Sequence, residues 1–192
     1  MFLISFLVPL YVIFMTLYMK LIFMPIINDD HFLAMCSIIL TVSAVFGAPF
    51  WGHFGDKKGF KFTLLLVLAF DLTTKVLGLF CQEKWNLTIL FFALGFNDKG
   101  ILTIIGPGLI EIFGLEMATE LIPYKGLSIF LAYVVVPIIQ ITLIKLVPYQ
   151  VILLVFVACS AAAVVLGRHF YYKVSYRPFR EEPNSEKQRD YE

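Results

Sequence analysis

Apolar positions run along the chain in six blocks, separated by short polar or glycine-rich breaks. By residue number the blocks cover about 2–24, 32–51, 62–81, 87–113, 127–147 and 151–167. Each is near the ~20 apolar residues with which an α-helix crosses a bilayer. The pattern predicts an all-α membrane protein with six transmembrane helices over residues 1–167. The first block is interrupted by Pro9 and carries Lys20. The second follows Asn28-Asp29-Asp30, residue types that start helices by accepting from free backbone N–H groups. Asp71 and Lys75 interrupt the third block, and Asn97-Asp98-Lys99 the fourth. Gly106-Pro107-Gly108, near the end of the fourth, invites a bend or marks a helix end. Short breaks between blocks predict antiparallel neighbours in one bundle. Beyond residue 167 the aliphatic residues nearly stop, so 168–192 reads as a solvated, disordered cytoplasmic tail.

Composition supports the pattern. Of 192 residues, 60% are apolar and 15% charged, and the mean hydropathy is +0.87. A soluble domain holds roughly 45–50% apolar and about 25% charged residues, so a soluble enzyme is disfavoured and the lipid bilayer is the expected partner. A net charge of +1 lacks the basic footprint of a nucleic-acid binder. Cys36, Cys81 and Cys159 are widely spaced, form no CxxC pair and suggest neither metal nor disulfide. No cofactor is implied. The first block is too long for a signal-peptide core and has no basic leader. Lysine and arginine sort to one side: Lys57, Lys58, Lys61, Lys125 and the tail cations, against Lys84 and Lys145 opposite. That asymmetry puts both termini in the cytoplasm. Asn86-Leu87-Thr88 is a glycosylation sequon facing outward in this topology, too close to the fourth block for ready use.

The second connection reads Gly52-His53-Phe54-Gly55-Asp56-Lys57-Lys58-Gly59-Phe60-Lys61. It resembles the signature loop of the major facilitator superfamily in Gly52, Asp56, Lys57, Gly59 and Lys61, with Leu64 following. Phe60 stands where a basic residue is usual. Tyr18-x-Lys20, Asp29-Asp30-x-Phe32-Leu33, Phe50-Trp51-Gly52, Ile112-Phe113-Gly114, Tyr124-x-Gly126 and Pro137 look like the C-terminal half of oxalate/formate-antiporter-like and monocarboxylate-transporter-like members. The resemblance implies that the six blocks correspond to helices seven to twelve. The glycines would turn the chain tightly, and Asp56 would cap the next helix or latch a cation. Such carboxylate carriers often hold an Arg where this chain has Ala48, and monocarboxylate carriers an Asp where it has Ala44. The anion-holding charges of those relatives are therefore missing.

Charge inside a bilayer costs a few kcal/mol per group, so each case needs a reason. Lys20, near the outer edge, either snorkels to the headgroups or turns inward at the mouth of a pathway. Asp71 and Lys75 share a helix face at i,i+4 and can neutralise each other. Asn97, Asp98 and Lys99 fall mid-membrane on the block matching a cavity-lining helix, and they are the candidates for substrate and proton handling. Asp98 would carry the proton. A salt bridge that only fixes packing is the competing reading. The expectation is a transporter, or half of one, moving a small polar solute such as a monocarboxylate by alternating access, with or without a coupled proton. Six helices supply one wall of such a pathway, so a second six-helix half, from the same or another chain, is expected. The alternative is a non-transporting membrane partner derived from a transporter half. No catalytic residues are expected: there is no GxGD pair, no Ser/His constellation and no HExxH.

Overall fold

The computed structural model describes residues 2–81, 83–143 and 149–173. Among the described residues the protein is almost entirely helical and has no strand. Its elements are α1 (Phe2–Leu7), α2 (Pro9–Ile27), α3 (Asp30–Lys58), α4 (Phe60–Gly78), α5 (Lys84–Leu143) and α6 (Tyr149–Lys173).

α1 and α2 form one nearly continuous rod, broken at Val8-Pro9. Proline has no N–H, so the carbonyl one turn earlier loses its helical donor and the rod loosens there. α2 ends at Asn28, whose positive φ of 47° lets its N–H close on the Met24 carbonyl at 2.9 Å. One residue later Asp29 accepts from the Phe32 N–H at 3.0 Å and starts α3. Two residues thus reverse the chain.

Residues 52–58, expected as a loop, remain helical as the last turns of α3. Only Gly59, at φ 83°, leaves the helix, and α4 begins at the next residue. A single left-handed residue is enough to reverse direction, and glycine takes that conformation without strain. Asp56 does not cap α4, which starts without a side-chain cap. Lys57 and Lys58 sit in the last turn of α3, where cations favour the carbonyl end of the helix dipole.

α5 also departs from expectation. The chain stays helical through Gly106-Pro107-Gly108 and breaks instead at Gly114, at φ 82°. Its two arms, 84–113 and 115–143, fold back on each other. Lys125 on the second arm donates to the Leu102 carbonyl of the first at 2.5 Å. Residues 114–126 are therefore not a free connector. The sequon lies in the first turn of α5, with Leu87 buried. α6 extends to Lys173, past the predicted boundary at 167. The rest of the predicted tail, and Lys145, lie outside the described residues.

The α3–α5 crossing is built on glycine. A Cβ on Gly47 would collide with the Phe96 carbonyl, and one on Gly95 with the Leu40 carbonyl. Small residues let helix backbones approach where lipid offers no hydrophobic drive to associate. Trp51 locks the crossing: its ring covers Gly100 and its indole N–H donates to the Phe96 carbonyl at 3.2 Å.

Apolar packing falls into two clusters. One joins α2 to the start of α5 and to α6, through Phe14, Phe23, Phe91 and Phe156. The other joins α1, the end of α3 and the start of α4 to α5 and α6, through Ile4, Trp51, Leu64, Ile105 and Ala163. Large apolar side chains also cover the outside, with Val45 67% and Ile141 74% exposed. Among the described residues four helices are long and apolar enough to cross a membrane: Phe2–Ile27, Asp30–Lys58, Lys84–Ile141 and Gln150–His169. These are compatible with a multi-pass membrane protein.

Candidate functional site

Among the described residues, two ion pairs lie within the apolar helices, one fully buried and one partly exposed.

The first belongs to α4. Residues 71, 75 and 78 share one helix face, which is turned into the protein. Asp71 and Lys75 pair at 2.8 Å, and both are buried. Lys75 reaches further. Its ammonium donates to the Val8 carbonyl at 3.0 Å and to Ser160 Oγ on α6 at 2.6 Å. It also lies 5.5 Å from the centroid of the Tyr11 ring. Two hydrogen bonds and one ion contact thus surround a single ammonium, while Asp71 Oδ2 accepts no hydrogen bond among the described residues. Lys75 fastens α4 to the Pro9 break and to α6. Ser160 in turn donates to the Phe156 carbonyl at 3.2 Å, which fixes the acceptor Lys75 uses.

The second group lies on the first arm of α5. Adjacent helical residues point about 100° apart, since a turn takes 3.6 residues. Asn97 accordingly faces back to α4, where its amide donates to the Val67 carbonyl at 3.3 Å. Its buried Oδ1 has no protein donor among the described residues. Asp98 and Lys99 face forward and pair with each other at 2.9 Å. Lysine's long stem spans the angle between neighbouring positions. Asp98 is mostly covered, at 16% side-chain exposure, and Lys99 is half exposed at 49%.

Both line a cavity of about 250 Å³ whose walls include Val12, Thr16, Thr41, Ala44 and Tyr133. α2, α3 and both arms of α5 form it, and no described residue of α4 or α6 takes part. Thr16 and Thr41 donate to carbonyls four residues back, Val12 at 2.7 Å and Ser37 at 3.0 Å, which leaves their oxygen lone pairs available as acceptors.

The remaining sequence candidates lie elsewhere. Lys20 pairs with Asp30 at 2.6 Å, both side chains well exposed, and does not line the cavity. Beside it Lys84 pairs with Asp29 at 2.5 Å. That hydrogen bond, helped by the Phe32 N–H, holds the Asp29 carboxyl below the usual carboxylate range. Gly52, Asp56 and Gly59 line a separate cleft of about 590 Å³ at the α3–α4 turn, facing Thr103 and Glu111. No three His, Cys, Asp or Glu side chains converge among the described residues.

Sequence reasoning missed Tyr11, Thr16, Thr41, Tyr133 and Ser160. The signals were faint: a hydroxyl within an apolar helix, and a proline one position after the carbonyl that Lys75 caps. No family model, curated protein or solved structure matches the chain.

Proposed function

We propose that the chain is a membrane transporter module, one six-helix half of a major-facilitator-type carrier that moves a small polar solute by alternating access. The observation that carries this reading is the cavity around Asp98 and Lys99. A partly covered ion pair facing open volume inside apolar helices costs stability, and intramembrane charge so placed marks solute and ion pathways. Discontinuous helices beside such sites fit alternating access, and here the Pro9 break adjoins the cavity, with Pro9 itself in its wall.

The family resemblance agrees with the lining. The tenth helix of such carriers lines the central cavity and the ninth is peripheral. In this chain the fourth apolar block carries the pair, and the third, α4, stands behind it. In this reading the crossings are α1 with α2, α3, α4, the two arms of α5, and α6. α4 falls outside the apolar criterion met by the other four, yet its central charges neutralise each other inside the protein. The end holding Ile4, the α3–α4 turn and Ala163 carries the lysine-rich segments and faces the cytoplasm. A second six-helix half, another copy or another chain, closes the pathway.

Mass and uptake on one sample test this. The full chain is purified in detergent, its mass is measured by light scattering, and it is reconstituted for uptake of amino acids and carboxylates. Saturable uptake by a dimer, or by a complex with a second half, is expected. A monomer that neither binds nor moves any member of the panel refutes the reading.

A further inference from the structure

The Asp98–Lys99 pair has a geometry that selects for a class of solute. Its two charges lie on neighbouring residues, on one wall, 2.9 Å apart, and both reach the cavity. Among the described residues each pairs only with the other. Lys75 is the contrast, since its buried ammonium already holds two hydrogen bonds besides its own carboxylate. Asp98 and Lys99 therefore retain unused bonding capacity, and it points at the open volume.

Charge balance then decides between solutes. An anion alone would draw Lys99 away and leave the Asp98 carboxylate uncompensated in a poorly hydrated place. A cation alone would take Asp98 from Lys99 and leave that half-exposed ammonium without its carboxylate. Lys20 and Lys75 each have their own carboxylate, and Lys125 spends its ammonium on the Leu102 carbonyl and is not part of the cavity wall. A solute bearing both charges exchanges one contact pair for two and leaves nothing unpaired. An α-amino acid holds its ammonium and carboxylate on one carbon, about a hydrogen-bond length apart. That matches the separation of the protein pair, so the four charges can close into a square of alternating sign.

The rest of the cavity limits size and polarity. Drug-sized ligands occupy roughly 300–1,000 Å³, and about 250 Å³ is available here. Ala44 keeps one wall shallow, while Thr16, Thr41 and Tyr133 offer hydroxyl oxygens. A short or hydroxylated side chain fits this surface better than a long aliphatic one.

Building on the transport reading above, we propose that this cavity binds a small zwitterionic α-amino acid, its ammonium on Asp98 and its carboxylate on Lys99. Exchange of the internal ion pair for the two solute pairs is the binding step, and no covalent bond changes.

Calorimetric titration of the full chain in detergent tests this with alanine and serine, against lactate (carboxylate only), ethylamine (ammonium only) and 4-aminobutanoate (charges far apart). Alanine and serine should bind at least about tenfold more tightly than the other three. Losing one charge-assisted hydrogen bond should weaken alanine by about 10- to 100-fold in Asp98→Asn and in Lys99→Gln. Asp98→Asn should also narrow the gap to lactate by releasing Lys99. If Asp98→Asn is not monodisperse, Lys99→Gln alone carries the test, because its half-exposed side chain bears little packing. Lactate binding as tightly as alanine, or alanine indifferent to Lys99→Gln, overturns the proposal. Saturable uptake of lactate without alanine would sink the zwitterion site and leave the transport reading standing. Neither binding nor uptake of any member would remove both.

Discussion

Replacing Lys75 with methionine removes the ammonium that joins α4 to the Pro9 break and to α6. The size of the effect follows from what is left behind. Breaking a buried ion pair by deleting one partner costs about 3–5 kcal/mol, mainly because the other charge stays buried without compensation. Asp71 is 3% exposed, so water offers it little relief. The Val8 carbonyl and Ser160 hydroxyl each lose a partner as well, and interhelical hydrogen bonds in membranes average about 0.6 kcal/mol. Lys75→Met should therefore destabilise by about 4 kcal/mol. Asp71→Leu should cost less, about 2 kcal/mol, because the ammonium keeps Val8, Ser160 and the Tyr11 ring. The double variant has no orphaned charge and should sit within about 1 kcal/mol of Asp71→Leu. At about 2–4 °C per kcal/mol for a chain of this size, Lys75→Met lowers the midpoint by roughly 10 °C. Thermal unfolding of the four proteins in one detergent completes a double-mutant cycle. Coupling below about 0.5 kcal/mol would mean that Asp71 and Lys75 do not act as a unit, and the account of α4 would be wrong.

Gly95→Leu should disrupt the α3–α5 crossing by at least about 3 kcal/mol, since the obstructing atoms are backbone, whereas Gly106→Ala, facing open space, should be nearly neutral by the same melt. Gly114→Val and Gly114→Ala both force a side chain into a φ/ψ region that essentially only glycine occupies and should each cost about 1–3 kcal/mol; unchanged midpoints would argue against the break at that residue. The lowered Asp29 carboxyl makes stability depend on pH. The folded state holds that proton less tightly than the unfolded one, so its contribution is present above the ordinary carboxylate range and is lost as pH falls through the lowered folded value. Lys84→Gln should flatten this part of the acid limb, read as midpoint against pH, and an unchanged profile would refute the assignment.

What was legible in the sequence was whatever depends on near neighbours. The apolar blocks located the helices, and Asn28-Asp29 located the first reversal, because capping is decided within four residues. The spacing of Asp71 and Lys75 put them on one face for the same reason. Long-range contacts were not legible. Nothing local says that Lys75 reaches a carbonyl 67 residues away, or that Ser160, sitting in a run of small residues, accepts from it. Gly106-Pro107-Gly108 looked like a break because glycine and proline weaken a helix. Yet Gly108 packs tightly under Phe60, and that contact favours a straight path. At Gly114 a Cβ would meet nothing, so no packing opposes the turn. The 52–58 segment is helical for a related reason. Trp51 anchors it to α5, and Gly59 alone supplies the reversal, so a longer loop would only have exposed backbone.

The two Asp–Lys pairs are alike in chemistry and opposite in setting, and the difference lies in burial and in what else each ammonium touches. Lys75 is held from several sides: two hydrogen bonds, a carboxylate and an aromatic face surround its buried ammonium. Shifting it would break contacts on three elements at once, so it serves as a brace. Asp98 and Lys99 are joined by one contact, on one arm of one helix, beside empty space. Separating them breaks nothing else that the fold requires, provided that whatever enters restores both charges. The same two residue types thus form one pair buried from several sides and another open on one, and the proposed exchange of a solute draws on that difference. Asn97 ties the two together, since the residue next to the exchangeable pair donates to the backbone of α4 one turn before Asp71.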